Sequence, residues 1–253
     1  LVYSFTRLQI IQHNIKTMEN NFYNQVEERA QSSALSFPAL MSKVYLWMTL
    51  ALVVTGMTAY YVASSPAILY AIVSNQIAFW GLFIGELVLV FVLSSRIMSL
   101  SFVTASLMFV IYSIMNGVFF SFILLAYTEQ SIATTFLITA GTFGAMSLFG
   151  FVTKRDLSTM GRILFMLLIG LLIATVVNIF MKAEGLALIL NYAGVVIFVG
   201  LTAYDTQSIK QMLQEHGDKE GAEKIALLGS LSLYLDFINL FIYLLRFFGE
   251  SRK

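Results

Sequence analysis

Seven long apolar runs follow one another along this chain: Val44–Val62, Ile77–Leu93, Phe102–Ala126, Ile132–Val152, Ile163–Met181, Leu186–Ile209 and Ile225–Phe248. A helix that crosses the hydrocarbon core of a bilayer needs roughly 20 mostly apolar residues, and these runs have that length. They are too long for strands and lack the alternation of a membrane barrel. The links between them are short, so the runs predict one all-α, polytopic membrane protein, a seven-helix bundle spanning residues 44–249. A polar segment, residues 1–43, precedes it. Its first part, residues 1–17, lies ahead of the first methionine, Met18, and is set aside as an upstream extension. Composition agrees: 58% of the residues are hydrophobic and 11% are charged, against about a quarter charged in soluble domains. No internal repeat is visible, which argues against an inverted-repeat transporter.

Orientation is read from Lys and Arg in the loops. Arg29, Lys43, Arg96, Lys154, Arg155, Arg162, Lys210, Lys219 and Lys224 fall on the side that holds the N-terminus, and Lys182 falls on the other. The N-terminus is therefore expected in the cytoplasm. Seven spans then place the C-terminus outside, against the sign of Arg246, Arg252 and Lys253. Either the loops overrule the tail or one span is re-entrant; seven spans is the preferred reading.

Charge inside an apolar run is costly and marks a candidate functional residue. Three acids qualify: Glu86 in "WGLFIGELVLVFVL", Asp205 in "GLTAYDTQSIKQ" and Asp236 in "LYLDFINLFIYLLRFFG". Asp205 and Asp236 lie on the last two runs, joined by the hairpin around "HGDKEG". With the sixth helix running to about His216 and the seventh starting near Ala222, the two carboxyls lie roughly 16 and 21 Å from the turn. Antiparallel packing can bring them within one turn of each other. On the seventh helix Gly229, Ser232, Asp236, Asn239, Tyr243 and Arg246 recur at steps of three and four, a polar stripe on one face. On the sixth, Gly194, Leu201, Asp205 and Ser208 can share a face. Two carboxyls at close range do not both ionise cheaply, so a shared proton is expected. With the protons gone they offer oxygen ligands to a hard cation such as Ca²⁺. The pair would couple protonation to helix packing.

Each residue also has a plainer reading. The polar "TQSIKQ" that follows Asp205 suits a membrane interface. Asp236 could pair with Arg96 or a backbone group. Glu86 could be solvated or bonded to a neighbouring helix. Asn116 and Asn178 read as interhelical hydrogen bonders, and the small residues of "TAGTFGAMSLFG" as close-packing sites. Asp156 or Ser158 reads as a helix cap. The chain has no cysteine, which excludes thiolate chemistry. His13 and His216 make no ligand pair, and near-neutral net charge argues against a nucleic-acid partner. The sequence carries no Walker loop, GxSxG or HExxH, so no enzyme is expected.

"FGFVTKRDLS", "GLTAYDTQSIK" and "LYLDFINLFIYLLRFFG", in this order after the central "NGVFFSFILLAYTEQSIATTFLITAGTFGAMSLFGF", resemble the bacterial branch of the Bax inhibitor family over roughly Lys43 to Gly249. The resemblance implies a bundle whose last helix is wrapped by the other six, and a calcium leak across the membrane. It implies that Asp205 and Asp236 are the pH sensor, that Arg96 is the second-helix arginine that contacts them, and that Glu86 is an acidic pore residue. The location implied is a bacterial inner membrane.

Three functions follow as expectations. One is a pH-sensitive, Ca²⁺-permeable leak channel, with Asp205 and Asp236 holding the last two helices together through a shared proton. Full deprotonation and full protonation would both loosen that bond, which leaves the sign of gating open. A second is a regulatory membrane protein that binds a membrane protease or quality-control partner, with Glu19 to Ser36 as a cytoplasmic handle. The third is a Ca²⁺/H⁺ exchanger on the same aspartates. The expected partners are the lipid bilayer, Ca²⁺ and protons, with no bound cofactor.

Overall fold

The computed structural model describes residues 36–216 and 221–252. The N-terminal handle up to residue 35, the upstream extension and the tip of the last hairpin lie outside them. Among the described residues the structure is helical throughout: α1 (Phe37–Ala63), α2 (Pro66–Ser74), α3 (Gln76–Arg96), α4 (Phe102–Ala126), α5 (Glu129–Val152), α6 (Ser158–Met181), α7 (Glu184–His216) and α8 (Ala222–Phe248), with a 3-10 turn at Ile97–Ser99. All but α2 are long and apolar enough to cross a membrane. The protein is a polytopic all-α membrane protein.

Three helices, α3, α4 and α5, begin where polar side chains satisfy free N–H groups. Asn75 accepts from the N–H groups of Ile77 and Ala78, both at 3.1 Å. Ser101 accepts from Thr104 at 3.0 Å and Thr128 from Ser131 at 3.3 Å. Such a cap extends α5 beyond its apolar run, to Glu129. The third run alone, Phe102–Ala126, coincides with its helix. The segment "PAILYAIVS", read as part of a link, folds as α2, with Pro66 in its first turn where a missing N–H costs nothing.

α8 is the centre of the bundle. In its span, 72% of residues are buried inside the protein, against 39% for α4, the next highest. It packs against α1, α4, α5 and α7. α3 and α6 are peripheral, with 6% and 11% of their spans buried. α7 is 33 residues long, about 50 Å at 1.5 Å per residue, so it extends well past a hydrocarbon core of about 30 Å.

Close approach is bought by small residues at a few points only. A side chain at Gly150 would collide with the backbone of Ala203 on α7, and one at Gly161 with the ring of Tyr204. Gly141 and Gly144 have nothing nearby. Of the small-residue segment on α5, the close-packing expectation therefore holds at Gly150 and not at the other two glycines. Asn178 does not bridge helices either. Its Oδ1 accepts from the N–H of Ala183 at 3.1 Å and closes the turn after α6. Asn116 donates to the Tyr112 carbonyl one turn back on α4 at 3.4 Å.

The bundle is tied at both ends. At the end holding most loop cations, Lys43 on α1 pairs with Glu223 on α8, and Lys224 donates to the Met98 carbonyl at 3.1 Å. At the opposite end the tail after α8 folds back on the α4–α5 junction. There Tyr127 and Ser251 form an antiparallel bridge, Thr128 N–H donates to the Glu250 carbonyl at 3.0 Å, and Arg252 N–H to the Ala126 carbonyl at 2.9 Å. Arg252 also pairs with Glu129 at 3.0 Å.

Candidate functional site

Asp205 and Asp236 are brought together by the α7–α8 hairpin. α7 carries Asp205 down from the turn, and Gly161 on α6 lets Tyr204 seat against that helix, which fixes the rotation of α7 at this level. α8 returns antiparallel and presents Asp236. The two carboxyls are close enough to interact directly, a range at which one shared proton is the cheaper state. Asp236 is buried, at 4% exposure, and Asp205 is half-buried. Asp236 has one oxygen, Oδ2, that is buried with no hydrogen-bond partner. Thr135 Oγ1 on α5 is the other such atom among the described residues. A buried oxygen left without a donor costs about 1–3 kcal/mol, more for a charged group.

The pair lies on a cleft of about 920 Å³ between α6, α7 and α8. Ser232 and Asn239, one turn either side of Asp236, also line it. The rest of the lining is mainly apolar, including Ile163, Phe165, Met166 and Leu172 of α6, which are exposed on the lipid-facing side. Arg162 lies at the rim, exposed, with its guanidinium donating to Thr159 Oγ1 at 3.3 Å.

The polar stripe on α8 is not one continuous path. Tyr243 is buried; its ring fills the space left by Gly194 and stacks on Phe198 with centroids 5.8 Å apart. Arg246 lies over the Tyr243 ring at 5.4 Å and donates to Asn191 Oδ1 at 3.5 Å. Ser232, Asp236 and Asn239 face the cleft, whereas Tyr243 and Arg246 belong to the far end.

The polar residues after Asp205 make their bonds within the protein. Thr206 and Gln207 are buried. The Thr206 hydroxyl lies 3.0 Å from Ser147 Oγ, which lies 2.7 Å from the Tyr45 hydroxyl on α1. Gln207 accepts from Leu157 N–H and donates to the Arg155 carbonyl, both at 2.8 Å. Lys210 donates to the Phe151 carbonyl at 2.8 Å. These side chains hold the α5–α6 loop against α7. In that loop, outside the spans, Asp156 accepts from Ser158 N–H at 2.9 Å. Hydrogen bonds from the Ser158 side chain and backbone hold its carboxyl below the ordinary value.

The other sequence candidates lie elsewhere. Arg96 ends α3 in an exposed position, does not line the cleft, and makes no ion pair among the described residues. Glu86 is half-buried on α3, within electrostatic reach of Tyr112 and Tyr234. Tyr234 forms a second polar cluster that the sequence reading missed. Its hydroxyl lies 2.7 Å from Thr55 Oγ1, which reaches the Ala51 and Ser113 carbonyls at 2.9 and 3.0 Å. Phe109 and Tyr112 pack edge-on against the Tyr234 ring. Residues 234 and 236 differ by about 200° around a helix, so this cluster and the aspartates occupy opposite faces of α8.

Among the described residues no group of three or more His, Cys, Asp or Glu side chains could hold a metal ion. Ca²⁺ takes six to eight oxygen ligands. The cleft is lined by two carboxyls, the amide of Asn239 and the hydroxyl residues Thr159, Tyr204 and Ser232.

Residues 38–253 match the family described as inhibitor of apoptosis-promoting Bax1. The chain is 48% identical over 214 residues to the inner membrane protein YbhL of Escherichia coli, an alignment covering 84% of this chain and 92% of the relative. It is 43% identical over 216 residues to an uncharacterized protein of Borreliella burgdorferi (84% and 92%), and 42% identical over 213 residues to the uncharacterized protein RP147 of Rickettsia prowazekii (84% and 89%). The chain belongs to the Bax inhibitor family.

Proposed function

We propose that this member of the Bax inhibitor family is a pH-sensitive, Ca²⁺-permeable leak channel of a bacterial inner membrane, with its N-terminus in the cytoplasm and the Asp205–Asp236 pair as its sensor. The observation that carries this reading is the pairing of two carboxyls from α7 and α8 beside an open cleft, with one buried oxygen of Asp236 unpartnered. In the closed state the pair holds one proton, and α7 and α8 stay in contact. Loss of that proton places two negative charges at hydrogen-bonding range. Their repulsion in a low-dielectric setting favours separation of the helices and exposes both carboxylates to a cation. The sign follows from linkage: the closed state binds the extra proton, so raising pH favours the open state. Glu86 is placed to act on the opposite face of α8, and Arg96 does not contact the pair in this conformation.

The test is Ca²⁺ entry into liposomes holding the purified protein, stepped from pH 5 to pH 8. Flux that rises with pH, with the slope lost in Asp236→Asn, supports the reading. An unchanged profile in that variant sinks the sensor. Ca²⁺ movement that drives protons uphill identifies exchange rather than leak. No flux at any pH transfers the case to a partner-binding role.

A further inference from the structure

The α6–α7–α8 cleft has a property that a cation path does not need: most of its wall is hydrocarbon that also faces lipid. From Arg162 at the rim to Leu172 the α6 side of the cleft extends ten residues, about 15 Å. Phe165, Met166 and Leu172 are more than half exposed on the bundle surface, so the cleft opens sideways toward the bilayer. Its volume of about 920 Å³ falls within the range of small-molecule sites, about 300–1,000 Å³. At its polar end are the buried, unpartnered Asp236 Oδ2 and the half-buried Asp205. Among the described residues that line it, Arg162 is the one cation, and its guanidinium is turned to Thr159.

We infer that this cleft binds a cationic amphiphile, a molecule with one ammonium head and one apolar chain. The head donates to Asp236 Oδ2 and neutralises the acidic pair. The chain lies along the Phe165–Leu172 wall. A compact ammonium needs few acceptors, which the cleft supplies, whereas a divalent ion needs six or more oxygens. An anionic head would meet two carboxyls, and an uncharged chain would leave Asp236 Oδ2 without a donor. Entry is lateral, from the leaflet.

The inference rests on the shape and polarity of the cleft and not on the leak reading, so a binding measurement tests it separately from flux. The protein in phosphatidylcholine nanodiscs is titrated with dodecylamine, with empty nanodiscs setting the partition background and dodecanol as the uncharged control. Native mass spectrometry counts the bound molecules. One saturable dodecylamine per protein is expected, with none for dodecanol. Asp236→Asn weakens binding by about tenfold or more, the scale of one lost charge-assisted hydrogen bond. Leu172→Trp narrows the chain arm at a lipid-exposed position and leaves the carboxyls in place; it weakens binding as well. Uptake of dodecanol equal to that of dodecylamine, absence of a saturable site, or unchanged binding in either variant overturns the inference.

Discussion

Two polar clusters sit on opposite faces of the same buried helix, and they are built differently. On one face Tyr234 reaches Thr55, and Thr55 reaches two carbonyls, so each hydroxyl has a partner and the ring is 0% exposed. On the other face Asp236 lies beside Asp205, keeps one buried oxygen unpartnered and opens on a large cleft. Both are polar groups in an apolar setting and both need hydrogen bonds. The closed cluster has them at rest. The open one leaves a deficit that a proton, an ion or a ligand can fill, which is the condition for a switch. A satisfied network fixes structure, and an incomplete one beside an opening responds to its surroundings.

Changes that separate the two faces sharpen this contrast. The largest effect on stability is expected from Tyr234→Ala, which removes a fully buried ring at the centre of the bundle. A loss of about 3–5 kcal/mol is expected, read from unfolding in mixed micelles. Next is Gly161→Val, which pushes Tyr204 off α6; about 1–3 kcal/mol is expected, and rotation of α7 should disturb the pair as well. Tyr234→Phe keeps the ring and drops the bond to Thr55. Hydrogen bonds between membrane helices average about 0.6 kcal/mol, so a loss of that order is expected. Asp236→Asn keeps a donor and the side-chain shape, and its stability should lie within about 1 kcal/mol of the parent while its pH response is lost. Smallest is Lys43→Met at the partly exposed pair with Glu223, under about 1 kcal/mol and fading with salt. Tyr234 variants that alter pH response as strongly as Asp236 variants would break the contrast.

Much of the fold was readable because the bilayer imposes a single rule, enough apolar residues to span it. That rule located all seven spans. It could not locate the helix ends, where Asn75, Ser101 and Thr128 satisfy N–H groups with polar side chains that a hydropathy reading counts against a helix. It also missed α2, too short to span and apolar enough to pass as a link. The depth of the two aspartates below their hairpin could be counted from the sequence, and their meeting follows from antiparallel packing. Tyr234 could not be found in this way. On α8 the apolar face was inferred by contrast with the stripe, and a tyrosine there reads as another large ring until its hydroxyl meets Thr55, 179 residues away. Asp205 posed the reverse problem: "TQSIK" looks like a solvated edge, yet Thr206, Gln207 and Lys210 are spent on Ser147, the α5–α6 loop and Phe151. Composition records that a residue is polar; only the fold records what it bonds.

The central claim is that protonation acts through one face of α8 and not the other. Its most direct test is Ca²⁺ entry into liposomes from pH 5 to pH 8 for Asp205→Asn, Asp236→Asn and Tyr234→Phe alongside the parent protein. The account predicts a rise with pH in the parent, the same rise in Tyr234→Phe, and a flat response in both aspartate variants. A rise that persists in the aspartate variants, or that disappears only in Tyr234→Phe, would contradict it.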